Sequence, residues 1–510
     1  MARPSPFASS AVGHTSTTST TATPSTSTEL KSAPSRSATL RRSSSPARAL
    51  LYALPGNSEA VLQTTEESPR IYALYAGSTT TERLGALARR QLSPQTPFNA
   101  DAWELAFTSL GLFDSYHSVI SILRSGANAG IPIIHQTFAP PNTKSVAENS
   151  ALFESLMLHE FESERFYGPF TAEETERALD SPFQTSPISL VPKPNSNPPK
   201  FRPVNNLSYP HTPIPRSPSS FISSINYSID ADNYPCTWGT FAVCSLLIAR
   251  LPPGSQAAVR DVSEAYRRVP IVPAQWPGTV VRLTDTLFAI NVALLFGLVS
   301  SGGIWGLIAD ALCAILRASG IGPLCKWVDD FIFFRVRLEH LPEYNRKQRK
   351  WAARILTQGG KRQSNSRIWF AGGLLPDGTV EEFDNELSFP LLPQPSSKSG
   401  NRYSCDINDI DAITDPLGVP WAKEKDQPFS SRPTYIGFYW DLQERTVGLP
   451  DKKKAKYLTA IDVWQNANPP THTLKEAQEL HGKLQHAAHI LPAGRAYLTA
   501  LESFLGVFGD

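Results

Sequence analysis

Two adjacent aspartates between two apolar segments constrain this chain more than any other feature of its sequence. Asp329 and Asp330 interrupt the segment Gly322–Arg337 (GPLCKWVDDFIFFRVR), and the residues on either side of them are nearly all apolar. Burying both flanks as strands places the two aspartates at the tip of a β-hairpin. Adjacent carboxylates repel each other and are costly to desolvate, so a pair in this position favours a bound cation. The alternative is a solvated turn, because Asp also favours turns.

A third aspartate ends a second predicted strand. In the segment AAVRDVSEAYRRVPI, alternation over residues 257–262 places Asp261 at the end of a half-buried strand. Two-metal phosphoryl transfer needs acidic ligands from separate strand ends, which hold two cations roughly 3.5–4 Å apart. Magnesium suits such a site, since it prefers carboxylate and phosphate oxygens. Together the two segments indicate a site of this kind.

The composition limits the possible classes of protein only loosely. The 510 residues are enough for two or three compact units, and 48 basic against 46 acidic residues give a formal charge of +2. Any nucleic-acid surface must therefore be local. The five cysteines are scattered without a C-x-x-C pair, which indicates reduced, mostly buried thiols in an intracellular protein that is nuclear or cytoplasmic and not secreted. Their spacing argues against a zinc knuckle.

Two stretches resemble targeting or membrane segments. Residues 1–58 are rich in Ser, Thr and Pro and nearly free of acidic residues. An organelle-targeting peptide has this bias too, but a disordered polar tail is the favoured interpretation. Leu287–Ala309 is uncharged and long enough to cross a bilayer. Ser300–Gly303 divides it, which favours a buried strand, a small-residue loop and a buried helix, with no membrane partner.

The remaining patterns alternate between helix and strand. Helical spacing is present over residues 101–123 and 145–161, and capping boxes begin at Thr171 and Thr473. Strands are predicted at residues 188–191, 201–207, 257–262, 324–336 and 435–449. The polar stretch Glu339–Arg432, with a turn predicted at Pro376–Gly378, is interpreted as an insertion with its own small structure.

An ordered set of motifs resembles the reverse transcriptase family. WVDDF (327–331) is similar to its aromatic-x-Asp-Asp box and DVSEAY (261–266) to its first catalytic strand. FGLVSSGGIWGLIAD (296–310) is similar to the template-supporting loop and helix, and LVPKPNSNPPKFRPVNNLS (190–208) to the fingers hairpin. YGPF (167–170), YIGFYWDL (435–442) and HGKLQHAAHILPAGRAYL (481–498) further resemble retrotransposons of the DIRS-like, tyrosine-recombinase type.

The resemblance implies an α+β right-hand polymerase with fingers, an antiparallel palm sheet and a partial thumb. Its implied segments are a mostly disordered tail (1–100), a helical N-terminal region (101–180), fingers and palm (181–338), the insertion (339–432), a primer-grip-like hairpin (433–450) and a thumb-like helical segment (451–510). The loop SSGG replaces the family's more usual small-residue-plus-proline pattern.

The resemblance also implies roles for single residues. Asp261, Asp329 and Asp330 would bind two Mg²⁺ ions. The nucleotide-binding residues would be Lys193, Lys200, Arg202, Tyr266 and Gly297. Lys193 and Arg202 would neutralise the triphosphate, with Lys200 able to substitute for Lys193. Tyr266 would exclude ribonucleotides, and Gly297 would allow close backbone approach. The primer and template residues would be Tyr435, Gly437, Trp440, Lys452, Lys453 and Lys454. Solvated loops, turn glycines, sheet packing and solvated charge runs are the structural alternatives.

The implied function is RNA-directed DNA polymerisation by a retrotransposon-derived protein. Its partners would be an RNA template, a DNA primer and product, and deoxynucleoside triphosphates. Because the sequence ends at Asp510, RNase H and recombinase activities, if needed, are expected from other chains. Two alternatives stay open: a catalytically silent relic that only binds nucleic acid, and an RNA-copying polymerase, against which Tyr266 argues.

Overall fold

The architecture comes from a computed structural model. It describes residues 68–193, 200–217, 220–357, 361–362, 368–374, 380–383, 389–469 and 471–507. All of these residues lie in one compact unit, Pro55–Asp510. The predicted turn at Pro376–Gly378 lies outside them, as do residues 1–67.

Helices predominate at both ends of the described residues, and the strands lie between them. The helices are α1 (Pro69–Ala76), α2 (Thr80–Leu92), α3 (Ala100–Ser109), α4 (Phe113–Ser125), α5 (Lys144–Ala147), α6 (Ser150–Glu162), α7 (Ala172–Leu179), α8 (Phe241–Arg250), α9 (Ser301–Ala318), α10 (Leu341–Thr357), α11 (Pro395–Lys398), α12 (Ile407–Thr414), α13 (Asp451–Gln465), α14 (Leu474–Ala487) and α15 (Thr499–Gly506). The strands are β1 (Phe166–Phe170), β2 (Ile188–Pro192), β3 (Phe201–Asn205), β4 (Ile214–Ser217), β5 (Ser220–Ile222), β6 (Gln256–Asp261), β7 (Val280–Arg282), β8 (Phe288–Asn291), β9 (Leu324–Trp327), β10 (Asp330–Arg335), β11 (Lys361–Arg362), β12 (Ile368–Leu374), β13 (Val380–Phe383), β14 (Gln427–Ser430), β15 (Thr434–Tyr435), β16 (Phe438–Asp441) and β17 (Thr446–Gly448).

A four-stranded antiparallel sheet forms the centre of the fold, in the order β14-β6-β10-β9. The run Phe331–Phe334 on β10 is completely buried, and its side chains enter the two largest hydrophobic clusters alternately. This alternation follows from the two-residue period of a strand that is covered on both faces. The prediction of an α+β fold with an antiparallel sheet is confirmed, whereas the division into fingers, palm and thumb stays a prediction.

The N-terminal helices correct two expectations. α1 and α2 lie inside the stretch 1–100 that was predicted to be mostly disordered, so that prediction is wrong for residues 69–92. A capping box between Thr79 and Glu82 starts α2. The single helical pattern over 101–123 is two helices, α3 and α4, separated at Gly111, whose φ of 69° is left-handed backbone. The capping boxes at Thr171 and Thr473 are confirmed.

The long apolar segment folds mostly as predicted. It contains strand β8 and the first half of helix α9. That helix is long and apolar enough to cross a membrane, but 83% of it is buried inside the protein. Burial of this kind is what a core helix shows, and one such helix is weak evidence for a membrane span. The predicted loop at Ser300–Gly303 is wrong in part, because Ser301 to Gly303 form the first turn of α9. Gly303 permits this, since a Cβ there would collide with the backbone of Tyr234.

The stretch 339–432 is only partly an insertion with its own structure. Strands β11, β12 and β13 do form a separate three-stranded sheet. However, β14 pairs with β6 and completes the central sheet. The prediction that the insertion extends to Arg432 is therefore wrong, because residues 427–430 supply an edge strand of the central sheet.

Candidate active site

Asp261 and Asp330 lie opposite each other at one end of the central sheet. β6 and β10 pair antiparallel over six residue pairs, and the last pair joins these two aspartates. Directly opposed residues in an antiparallel pair project from the same face, with Cα atoms roughly 4.5–5.5 Å apart. Residues that are 69 positions apart in the sequence are thus brought together by strand register alone.

A tight turn between β9 and β10 holds the third aspartate beside them. Val328 has a φ of 54°, an unusual conformation for a β-branched residue. Two hydrogen bonds hold the turn: Trp305 Nε1 donates to the Val328 carbonyl at 2.8 Å, and the Val262 amide donates to the Asp329 carbonyl at 2.9 Å. The second bond ties the turn directly to the chain that follows Asp261. The hairpin tip is thus where the sequence pattern predicts it, whereas no local pattern indicates the role of Trp305.

The carboxylates of the site carry unbalanced negative charge. Burial, followed by repulsion from Asp329 and Asp261, raises the pKa of Asp330 from its ordinary value of 3.8 to about 6. Burial is also the main reason that the pKa of Asp329 is raised, with a further contribution from Asp261. Asp329 and Asp330 are therefore each repelled by a neighbouring carboxylate, and a cation placed among them would offset this repulsion.

Lys425, which no sequence pattern singled out, supplies part of the positive charge that would balance these carboxylates. Lys425 Nζ lies 2.8 Å from Asp261 Oδ1, and this hydrogen bond is the main reason that the pKa of Lys425 is raised. Lys425 follows α12, in the stretch interpreted as an insertion, and is 164 residues from its partner. Its side chain is 59% exposed, so the pair is screened by water and can separate at little cost.

The chemical type of these three ligands, all carboxylates, suits a hard divalent cation. Three carboxylates from two strand ends offer the oxygen ligands that Mg²⁺ prefers. As the side chains stand, the described residues contain no group of three or more His, Cys, Asp or Glu that could hold a metal ion. In this arrangement the ammonium group of Lys425 contacts the carboxylate of Asp261.

Of two further predicted nucleotide-binding residues, Tyr266 lies near Asp329, whereas Gly297 lies beside the end of β3. Tyr266 packs edge-on against Phe296 with ring centroids 5.0 Å apart, and Asp329 contributes to raising its pKa after burial, the larger cause. Gly297 has a φ of 92°, and a Cβ there would lie 3.1 Å from the carbonyl oxygen of Asn205. Gly297 therefore permits a close approach to the end of β3, which is a structural reason for glycine at this position.

The three predicted triphosphate cations lie on the hairpin of β2 and β3. Lys193 and Lys200 flank residues 194–199, which are outside the described part, and the Lys193 amide donates to the Lys200 carbonyl at 2.6 Å. Arg202 is opposite Val191 in the β2–β3 register. All three side chains are exposed. The predicted strands are confirmed, and the predicted binding role stays a prediction.

The predicted primer-contacting residues divide into a buried and an exposed group. Tyr435 and Trp440 are each only 2% exposed and belong to the hydrophobic core beside the central sheet, so packing accounts for both. Gly437 has a φ of 80°, and its carbonyl accepts a 3.2 Å hydrogen bond from Lys453. Lys452 and Lys454 are exposed on α13. Lys453 is occupied by Gly437 and His486, so among the six the structure leaves the exposed side chains of Lys452 and Lys454 available to a ligand.

Comparisons with known proteins give similarity only to solved structures. No protein-family profile and no curated protein matches the sequence. The chain is similar to a foamy viral protease–reverse transcriptase in complex with double-stranded DNA, with 14% identity and a TM-score of 0.41 over 84% of this chain and 55% of that chain. A foamy viral protease–reverse transcriptase in complex with an RNA/DNA hybrid gives 12% identity and a TM-score of 0.42 over 82% and 42%. This chain thus spans about half the length of those chains, and likenesses of this size do not establish a shared fold or function.

Proposed function

We propose that this chain is an RNA-directed DNA polymerase domain from a retroelement, and that it transfers nucleotides at the site of Asp261, Asp329 and Asp330. The observation that carries the proposal is the strand register, which places Asp261 opposite Asp330 at the end of the central sheet. The pKa values of Asp329 and Asp330 are raised partly by neighbouring carboxylates, so negative charge is concentrated where a cation would bind. The DIRS-like affiliation and an intracellular location are finer parts of the same proposal.

In this proposal the three aspartates would hold Mg²⁺, with Lys425 giving up its contact with Asp261. The metal would supply the positive charge that activates a primer 3′-hydroxyl and stabilises departing pyrophosphate. The chain itself would orient the substrates. Tyr266 would lie against the sugar of the incoming deoxynucleotide, and the exposed cations of the β2–β3 hairpin would contact its triphosphate. The α13 lysines would contact phosphates of the template–primer duplex.

Primer extension on an RNA template with Mg²⁺ tests the proposal. Wild-type protein should add deoxynucleotides, and Asp329→Ala should add none. Asp415→Asn is a matched control, because that carboxylate is exposed at the end of α12. Absence of extension by folded wild-type protein on several templates would reject the proposal. Preferential addition of ribonucleotides would instead identify an RNA-copying polymerase.

One observation favours the silent relic as a second candidate. The Lys425 ammonium group already contacts Asp261, and the described side chains are not arranged as a metal site. A relic would bind template–primer and gain no stability from Mg²⁺. Thermal unfolding with and without Mg²⁺ separates the two, because a polymerase that binds Mg²⁺ at this site should melt at a higher temperature when the ion is present.

A further inference from the structure

A second group of charged residues lies apart from the aspartate site, between α2 and the chain that follows Asp261. It borders a cavity of about 270 Å³, which is called the arginine cavity here. Four arginines line this cavity: Arg90, Arg165, Arg267 and Arg268. Four arginines around one small cavity need compensation by anions, since guanidinium groups remain charged when buried.

The acidic residues nearby compensate this charge incompletely. Arg165 contacts Glu160 at 2.8 Å and Glu264 at 2.7 Å, and these two glutamates also pair with Arg267 and Arg268. A third glutamate, Glu164, lines the cavity. Within the described part of the chain, four guanidinium groups thus face three carboxylates.

Arg90 is the arginine that these pairs leave out. It is only 4% exposed, its Nη2 donates to the Gln95 carbonyl at 2.9 Å, and its Nη1 has no hydrogen-bond partner among the described residues. A buried guanidinium nitrogen without an acceptor is unfavourable, and a ligand oxygen in the cavity would provide one after a small rotation of the side chain. Burial lowers the pKa of Arg90 from its ordinary value, as expected for a cation without full compensation.

A second cavity of about 420 Å³ adjoins the first, because both have Arg90, Gln95 and Glu164 in their walls. It is called the aromatic cavity here, since Phe161, Phe166 and Tyr167 line it. Cavities of this order hold small molecules. Arginines beside aromatic rings are the pairing that nucleotides require, with guanidinium groups for the phosphate and rings for the base.

We propose that the two cavities form one site for a nucleoside phosphate, distinct from the aspartate site. The phosphate binds in the arginine cavity against Arg90 and Arg268, and the base binds in the aromatic cavity against Tyr167. The ligand is either a free nucleotide or one nucleotide of a single strand, because both present the same groups. This site does not depend on the proposed polymerase function. It is close to Tyr266 in the chain, since Arg267 and Arg268 directly follow that residue.

Equilibrium dialysis of the full chain with radiolabelled AMP tests the site. EDTA is included, so that metal-dependent binding at the aspartates does not contribute. We expect saturable binding of one AMP per chain, with about 10- to 100-fold weaker binding by Arg90→Gln, since one charge-assisted hydrogen bond is lost. Adenosine should bind far more weakly than AMP. Arg177→Gln, an exposed arginine on α7, and Asp329→Ala should both bind AMP as the wild type does.

Three results would overturn the proposal: no saturable AMP binding, equal binding by folded Arg90→Gln, or loss of binding in Asp329→Ala. If Arg90→Gln does not fold, photolabelling of wild-type protein with 8-azido-AMP decides the question. Labelled peptides should then contain Tyr167 or its neighbours in the aromatic cavity, and labelling elsewhere would reject the site. Competition by a 5′-phosphorylated oligothymidylate identifies a nucleic-acid strand as the source, whereas failure to compete identifies a free nucleotide.

Discussion

Replacing Asp330 with Asn should stabilise the protein at neutral pH in the absence of divalent cations. In the native state, burial and the neighbouring carboxylates raise the pKa of Asp330 to about 6 from an ordinary value of 3.8. The native state therefore binds this proton more tightly than the unfolded state does. Ionisation of Asp330 consequently destabilises the native protein, by an amount that is absent below about pH 4 and complete above about pH 6.

The size of the effect follows from the same shift. One pKa unit corresponds to about 1.4 kcal/mol, so the full difference corresponds to about 3 kcal/mol. Asp330 is only partly buried, and screening by solvent reduces the expected gain to about 1–2 kcal/mol. Asparagine has nearly the same shape and carries no charge, so it removes the repulsion without leaving a large cavity.

Urea denaturation at several pH values, in EDTA, measures this gain. The free energy of unfolding of Asp330→Asn should exceed that of the wild type at pH 7.5, and the two should converge near pH 4. Asp415→Asn, at the exposed control position, should show no comparable gain. Saturating Mg²⁺ should narrow the difference by stabilising the wild type. An Asp330→Asn protein no more stable than wild type, or a gain independent of pH, would refute the electrostatic account.

Three further perturbations probe the residues around the site. Trp305→Phe removes the hydrogen bond to the Val328 carbonyl, and the free energy of unfolding should fall by about 1 kcal/mol. The kcat for primer extension should also fall, with little change in the deoxynucleotide KM. An unchanged kcat would contradict a positioning role. Lys425→Met should increase the rise in Tm that Mg²⁺ produces, since no ammonium group then competes for Asp261, and an equal rise would count against that competition. Gly297→Ala should lower the free energy of unfolding by about 1–2 kcal/mol in urea denaturation, because its φ of 92° is strained for a residue with a Cβ, and full stability would contradict this.

The aspartate site could be predicted because its signals are local. Alternation around Asp261 and the apolar flanks of Asp329 and Asp330 define strands that end at these residues. That the two strand ends meet followed from the needs of two-metal chemistry and from the family resemblance, not from a local pattern. The structure places Asp261 opposite Asp330, as the prediction required. The two capping boxes were also predictable, since they depend on residues three positions apart.

The features that the sequence analysis missed depend on long-range contacts. Lys425 belongs to a charged segment, KEKD, that looks like any solvated run until β14 pairs with β6 and brings it to Asp261. Arg90 and Arg165 are buried among residues from distant segments, and no local pattern distinguishes them from exposed arginines. α2 is different: the capping box from Thr79 to Glu82 is a local signal of the same kind as those at Thr171 and Thr473, so this helix was predictable.

Iron-directed backbone cleavage tests most directly whether the three aspartates share a metal. Fe²⁺ substitutes for Mg²⁺ at carboxylate sites, and with ascorbate and peroxide it generates radicals that cut nearby backbone. Cleavage of the wild-type chain should occur at two places, around residue 261 and around residues 329–330, and excess Mg²⁺ or Asp329→Ala should suppress both. No cleavage, or cleavage at only one of the two segments, would contradict a metal site built from both strand ends.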